Sequence, residues 1–271
     1  MVRAAERPAR TSVWLEGKAP RSGTRGGGQP SGLDRDRITA ATVRLLDAEG
    51  LARFSMRRLA AELNVTAMSV YWYVDTKDDL LELALDAVYR ELAPPEPQPA
   101  DDWRGRLREL ATGYRALLVR HPWVSTLVGN FLNIGPHSRA FSLRVQDMMR
   151  TTGLPRHGQM GALSAVFQFV YGFGTIEGHF IQRCASAGMS QDEYFRQAMS
   201  SIREQPQFAR DFENAAEMME ARGGDTVEEM RERDFAFALE TLIAGIEAMV
   251  ARSRTPETPG TPEAPGTPGT P

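Results

Sequence analysis

The residues with the clearest chemical purpose sit in one short window. Thr66-Ala67-Met68-Ser69 is followed at once by Tyr71, Trp72 and Tyr73, and then by Lys77. Small and hydroxyl side chains at the start of a helix let it approach base edges and touch thymine methyls. The first amides of such a helix, the Thr66 and Tyr71 hydroxyls and the Lys77 ammonium all suit phosphate oxygens. Arg57 and Arg58 precede the window, and Ala67 and Met68 bring no hydrogen-bond donor for reading bases. The chemistry is that of nucleic-acid docking.

The neighbouring pattern supplies the elements that must position this window. A helix is expected from about Asp34 to Glu49, with Asp34 as N-cap, Ile38, Ala41, Leu45 and Leu46 as its apolar stripe and Gly50 as its stop. Ser55 caps a second helix, Met56 to Leu63, and Thr66 a third, Ala67 to Trp72. Between them Asn64 tolerates the left-handed conformation that a sharp turn requires. Thr76 starts a fourth helix reaching Leu92, with Asp79 placed for a capping box. Two short helices joined by such a turn make a helix-turn-helix, whose second helix enters the major groove.

The run Phe54-Ser55-Met56-Arg57-Arg58-Leu59-Ala60-Ala61-Glu62-Leu63-Asn64-Val65, continued by Ser69-Val70-Tyr71-Trp72-Tyr73-Val74-Asp75-Thr76-Lys77-Asp78-Asp79-Leu80-Leu81, resembles the signature of the tetracycline-repressor family. The likeness covers about residues 33–83, with order and spacing intact. It implies an all-α protein: a three-helix DNA-binding head on residues 33–93, linked by its fourth helix to a ligand-binding and dimerisation body on residues 94–252. Carried over by position, Arg57, Ala67, Met68 and Ser69 face bases. Thr66, Tyr71, Trp72, Tyr73 and Lys77 face the DNA backbone, as does the main chain of Met56. Asn64 stands where the family more often has glycine.

Beyond the head nearly everything has helical periodicity, punctuated at Pro94-Pro95, Gly135-Pro136 and Gly223-Gly224. A helix from about Gln159 to Ala187 is apolar almost all round, and its Gly174 and Gly178 would let another backbone come close. Phe235, Leu239, Leu242, Ile243, Ile246, Met249 and Val250 form a second stripe. Two such helices per chain suggest an intermolecular four-helix bundle, and a homodimer suits palindromic operator DNA. A sensor pocket is expected from Trp123, Phe131, Met148, Phe167 and Tyr171, with Asn133, Gln168 and His179 as its polar groups. Its effector would be small, largely apolar and antibiotic-like. The polar segment 190–224 reads as a helical excursion that could cover the pocket.

Other functions find little support. His121, His137, His157 and His179 show no metal-ligand spacing, and no nucleophile elbow or phosphate-cradling loop is present, so neither an enzyme nor a cofactor nor a metal is expected. The single cysteine, Cys184, fits a reducing cytoplasm. The longest apolar run, Gly161 to Ile176, falls short of a membrane span. Net charge is −3, and residues 33–93 hold 8 basic and 11 acidic side chains. Residues 1–32, with six basic groups against two acidic ones, read as a flexible arm whose Arg21 and Arg25 would add DNA affinity more than specificity. Residues 253–271 read as a Thr/Pro/Gly tail. The sequence thus predicts a ligand-released repressor. A DNA-binding regulator that answers to a protein partner or to concentration is the alternative.

Overall fold

The computed structural model describes residues 12–15, 32–92, 102–205, 207–208, 218 and 221–254. Among them are ten α-helices and no strand. The first four make the head: α1 (Arg35–Glu49), α2 (Met56–Glu62), α3 (Ala67–Tyr71) and α4 (Lys77–Tyr89). Each starts at a side-chain cap. Asp34 accepts from the Arg37 amide at 2.7 Å, Ser55 from Arg58, Thr66 from Ser69, and Thr76 shares a reciprocal capping box with Asp79. Four short helices with unsatisfied first amides would be marginal alone. They are held by a common core in which Ile38, Leu46, Leu59, Val70 and Leu80 are essentially sealed from solvent. Each such side chain contributes roughly 1.5–3 kcal/mol through burial.

The turn between α2 and α3 depends on Asn64, whose φ is +54°. Valine there would take up a left-handed conformation costing about 1–2 kcal/mol, whereas glycine enters it freely. Asn64→Val is therefore expected to lower the melting temperature of the head, and Asn64→Gly to leave it nearly unchanged.

The fourth helix ends earlier than its pattern suggests. Residues Arg90–Leu92 tighten into a 3-10 turn, just before Pro94 and Pro95, which disfavour helical geometry upstream. The body follows with α5 (Trp103–Arg120), α6 (Trp123–Leu127), α7 (Pro136–Thr151), α8 (Arg156–Ser186), α9 (Gln191–Arg203) and α10 (Val227–Arg254).

Helix α8 is the axis of the body, about 46 Å long at 1.5 Å per residue. Its Gly174 and Gly178 do admit another backbone, that of α5 in the same chain. A Cβ on Gly174 would lie 2.8 Å from Leu118 Cβ, and one on Gly178 would lie 3.1 Å from the Leu118 carbonyl. Across α8, Phe235 of α10 sits between Phe169 and Phe173, with centroids at 5.4 and 5.5 Å. Arg115 of α5 bonds Glu177 of α8 and Glu232 of α10, both at 2.7 Å, and its guanidinium lies over the Phe235 ring.

The polar segment after α8 begins as the helix α9, whose Asp192 accepts from the Val227 amide and so caps α10. Residues 12–15 pack against the head. The Ser12 hydroxyl and the Val13 amide both bond the buried Glu82 carboxylate of α4, at 2.5 and 2.9 Å. No helix of the described residues is long and apolar enough to cross a membrane.

Candidate functional site

Helix α3 presents two kinds of side chain. Val70 is wholly buried and anchors the helix, while Met68 and Trp72 are each 69% exposed and Tyr71 is also exposed. Arg57 projects into solvent from α2. Thr66 and Ser69 bond one another at the N-terminus, hydroxyl to hydroxyl at 3.0 Å, and Ala67 packs partly against the core. Arg57, Thr66, Met68, Ser69, Tyr71 and Trp72 thus lie on or beside one accessible surface. The other two candidates are tied down within the head. The Tyr73 hydroxyl donates to the Leu33 carbonyl at 2.6 Å. The Lys77 ammonium donates to the Phe54 carbonyl at 3.0 Å and lies over the Phe54 ring. Both fix the loops around α3. Arg58 is paired with Glu49 at 2.6 Å. Arg21 and Arg25 lie outside the described residues.

In the body five rings from four helices form a continuous aromatic array. Tyr89 of α4, Tyr114 of α5 and Phe141 of α7 meet at centroid distances of 5.8 to 6.5 Å. Phe167 of α8 stacks on Tyr114 at 5.4 Å and on Tyr171 at 6.1 Å. Tyr89 and Tyr114 are buried, and Phe141, Phe167 and Tyr171 are half-buried. Burial pushes the Tyr89 phenol up to about 12 and the Tyr114 phenol further still, so both are neutral donors at ordinary pH. Tyr171 spends its hydroxyl on the Ser125 carbonyl at 2.8 Å. The Tyr114 hydroxyl faces that of Tyr89 in a loose hydrogen bond, with Tyr171 as a further electrostatic neighbour, and makes no closer one among the described residues. A buried hydroxyl held so loosely can exchange its partner for a polar atom of a ligand.

The expected sensor residues divide into four groups. Phe167 and Tyr171 belong to the array. Phe131 packs half-buried, Met148 is deep in the core, and Asn133 closes its own loop by donating to the Val128 and Phe131 carbonyls at 2.7 and 3.0 Å, its side-chain oxygen remaining unbonded. Gln168 and His179 are on the exposed face of α8, away from the rings. Trp123 is at the junction of head and body, where its indole N–H donates to Asp47 of α1 at 2.7 Å. Sequence reasoning passed over Tyr89 because it lies on the linking helix. Its place in that helix's buried stripe was the available signal.

Two joints tie α4 and the head to the body. Asp86, buried on α4, accepts from the amides of His137 and Ser138 and from the Ser138 hydroxyl, the last two at 2.8 Å. It caps α7, whose own N-cap is Gly135 and offers no side chain. The second joint is His121, between Asp47 of α1 at 2.7 Å and Glu91 of the 3-10 turn at 3.0 Å. Among the described residues no cluster of three or more His, Cys, Asp or Glu is arranged to hold a metal.

A helix-turn-helix head whose last helix enters a helical body defines a class of DNA-binding regulator. Comparison with known proteins names it. Residues 38–84 match the model of bacterial regulatory proteins of the tetR family, and residues 95–250 match the tetracyclin repressor-like C-terminal domain. The chain belongs to the tetR family of transcriptional regulators, and its relatives are named as regulators and repressors rather than enzymes. It is 30% identical to the HTH-type transcriptional repressor DrrR1 of Streptomyces coeruleorubidus, over 91% of this chain and 87% of that one. An HTH-type transcriptional regulator of Saccharopolyspora erythraea is 39% identical over 141 residues, 52% of this chain and 59% of the relative, so that match spans little more than half the relative's length. Among solved structures, ActR of Streptomyces coelicolor in complex with actinorhodin superposes with a TM-score of 0.63 at 27% identity, covering 81% of this chain and 97% of ActR. Apo ActR gives the same TM-score at 26% identity, over 82% of this chain and 98% of ActR.

Proposed function

We propose that this chain is a repressor that binds palindromic operator DNA as a homodimer and is released by a small, flat, largely apolar molecule. The observation that carries the reading is that Tyr89 belongs at once to the aromatic array and to α4, the helix that starts beside α3. A ligand stacking among Tyr89, Tyr114, Phe141 and Phe167 acts directly on the helix that orients the head. Buried and half-buried rings with one loosely paired phenol suit a planar molecule carrying a polar edge. The actinorhodin complex of ActR supports a small-molecule site in this kind of body.

The dimer reading rests on the outer faces of α8 and α10. Met160, Ile176, Phe237 and Met249 are all more than half exposed in the single chain. Pairing these helices with a second copy buries them and sets two recognition helices one DNA turn apart, about 34–36 Å. A ligand that prefers a different head spacing lowers operator affinity by its differential affinity alone, a coupling of about 1–3 kcal/mol.

The test is selection of bound DNA from a random pool with the full chain, followed by a melting screen of small aromatic compounds against the protein. A two-fold symmetric site with half-sites one turn apart, and a compound that both raises the melting temperature and releases that site, is the expected result. Selection without a palindrome overturns the dimeric operator reading. A palindrome with no releasing compound moves the function to a regulator that senses no small molecule. On the selected site Trp72→Ala and Tyr71→Ala are each expected to weaken binding by about 1 kcal/mol or more with the melting temperature unchanged, because both are exposed aromatic contacts and neither side chain is part of the core.

A further inference from the structure

His121 has no part in the DNA-facing surface or the aromatic array, yet it is one of the most deeply buried polar residues of the chain, 4% exposed. Its position is defined by two carboxylates on different elements. Nδ1 meets Asp47 of α1 and Nε2 meets Glu91 of the 3-10 turn that follows α4. Trp123 of α6 donates to the same Asp47 oxygen, and Arg120 of α5 pairs with Glu91. The charged groups facing the imidazole are thus Asp47, Glu91 and, behind the latter, Arg120. Asp47 and Glu91 belong to the head and its linking helix, while Arg120, His121 and Trp123 belong to the body.

A neutral imidazole has one N–H and so can donate to only one of the two carboxylates, leaving the other nitrogen lone pair against an anion. The imidazolium donates to both. The doubly bonded arrangement is therefore the protonated one, and losing the proton breaks one of its two bonds to the head.

We propose that Asp47, His121 and Glu91 form a proton-operated clamp between head and body, which holds the head in its ligand-free orientation more tightly at low pH than at high pH. Burial opposes the charge on His121, but hydrogen bonds and attraction from Asp47 and Glu91 outweigh it and keep the ring more basic than an ordinary histidine. A group whose proton affinity is raised by folding contributes stability fully below its unfolded pKa, about 6.5, and that contribution disappears as pH rises through the higher folded value. The consequence for DNA rests on the repressor reading above. If the ligand-free orientation is the one that holds the operator, raising the pH loosens the clamp and weakens binding, and a releasing compound expels a proton as it acts. Should clamping raise the proton affinity of His121 tenfold, operator binding falls by up to about tenfold between about pH 6 and about pH 9.

The experiment compares the full chain with His121→Gln and Glu91→Gln. Glutamine at 121 can still donate one hydrogen bond but cannot titrate, and glutamine at 91 keeps the shape of the clamp while removing one charge. The His121 ring is followed by NMR across pH, and melting temperature and affinity for the pool-selected operator are measured over the same range. His121 is expected to titrate above the ordinary histidine range, and lower in Glu91→Gln. The parent chain should lose melting temperature and operator affinity through that titration, and His121→Gln should follow a flatter profile. A His121 that titrates at or below its ordinary value, or matching pH profiles for parent and His121→Gln, overturns the clamp. Because the NMR and melting arms need no DNA, a failure to find an operator would count against the repressor reading while leaving the clamp to be decided by them.

Discussion

Arg115→Ala is expected to destabilise the folded chain by about 3–5 kcal/mol, the cost of removing one partner from a buried ion pair. The arginine side chain is 8% exposed and Glu177 only 12%, so alanine would leave the glutamate in a poorly solvated site without its partner. Glu232, at 62% exposed, is close enough to water to be re-solvated and adds little to the loss. The stacking of the guanidinium on Phe235, at 4.5 Å, disappears as well. The loss is an orphaned charge more than a missing attraction, which leads to a sharper expectation. The double variant Arg115→Met with Glu177→Met fills similar volume without charge and should recover most of the stability, since well-packed apolar residues often replace a buried pair at no cost. Urea unfolding at one fixed protein concentration measures both, since the apparent stability of any protein that self-associates depends on concentration. A double variant as unstable as Arg115→Ala would mean that the triad fixes the packing of α5, α8 and α10 in a way apolar side chains cannot.

The contrast between head and body shows what a sequence can disclose. In the head, Asp34, Ser55, Thr66 and Thr76 each cap the helix they precede, and Asn64 takes the left-handed turn. All five act within four residues of themselves. Such short-range chemistry is written in local spacing. The body is organised by partners far apart in the chain. Trp123 has the composition of a pocket residue, but its N–H is claimed by Asp47, 76 residues earlier. Gln168 shares a helix with Phe167 and Tyr171, and only the side on which α5 packs decides that it faces out. Gly174 and Gly178 signalled a close helix contact correctly, and spacing alone could not say whether its partner was α5 or a second copy. At the other end, the arm looked unable to bury apolar surface, yet Ser12 and Val13 satisfy a buried carboxylate on α4. That carboxylate, Glu82, lies in a helix whose pattern shows only that some acids must be buried.

The same helix carries Asp86, and from it the remaining expectation follows. Asp86→Ala removes three hydrogen bonds to the first turn of α7 and should cost about 2–4 kcal/mol, between the effect of an ordinary N-cap and that of buried bonds to a charged group. Gly135→Ala should cost a similar amount for a steric reason. Its φ of −62° suits alanine, but the new methyl would lie 2.3 Å from Asp86 Cγ, so the carboxylate has to leave its place as cap. Two substitutions acting on one contact cannot add. With alanine at 86 the carboxyl carbon and oxygen that lie 2.3 Å from such a methyl are gone and only the Cβ, at 2.8 Å, still crowds it, so the double variant should lose less than the sum of the two single losses. Additive losses would mean that the two residues act separately. The functional readout separates stability from transmission. Phe141 sits on α7 within the aromatic array, and Asp86 joins that helix to α4. Either single variant should still bind a releasing compound found by melting screen, yet show a smaller change in operator affinity when it binds, because the movement of α7 no longer carries α4 with it. Direct contact through Tyr89 leaves part of the response intact. The difference between parent and variant in ligand-induced loss of operator affinity therefore measures how much of the coupling passes through the capped end of α7.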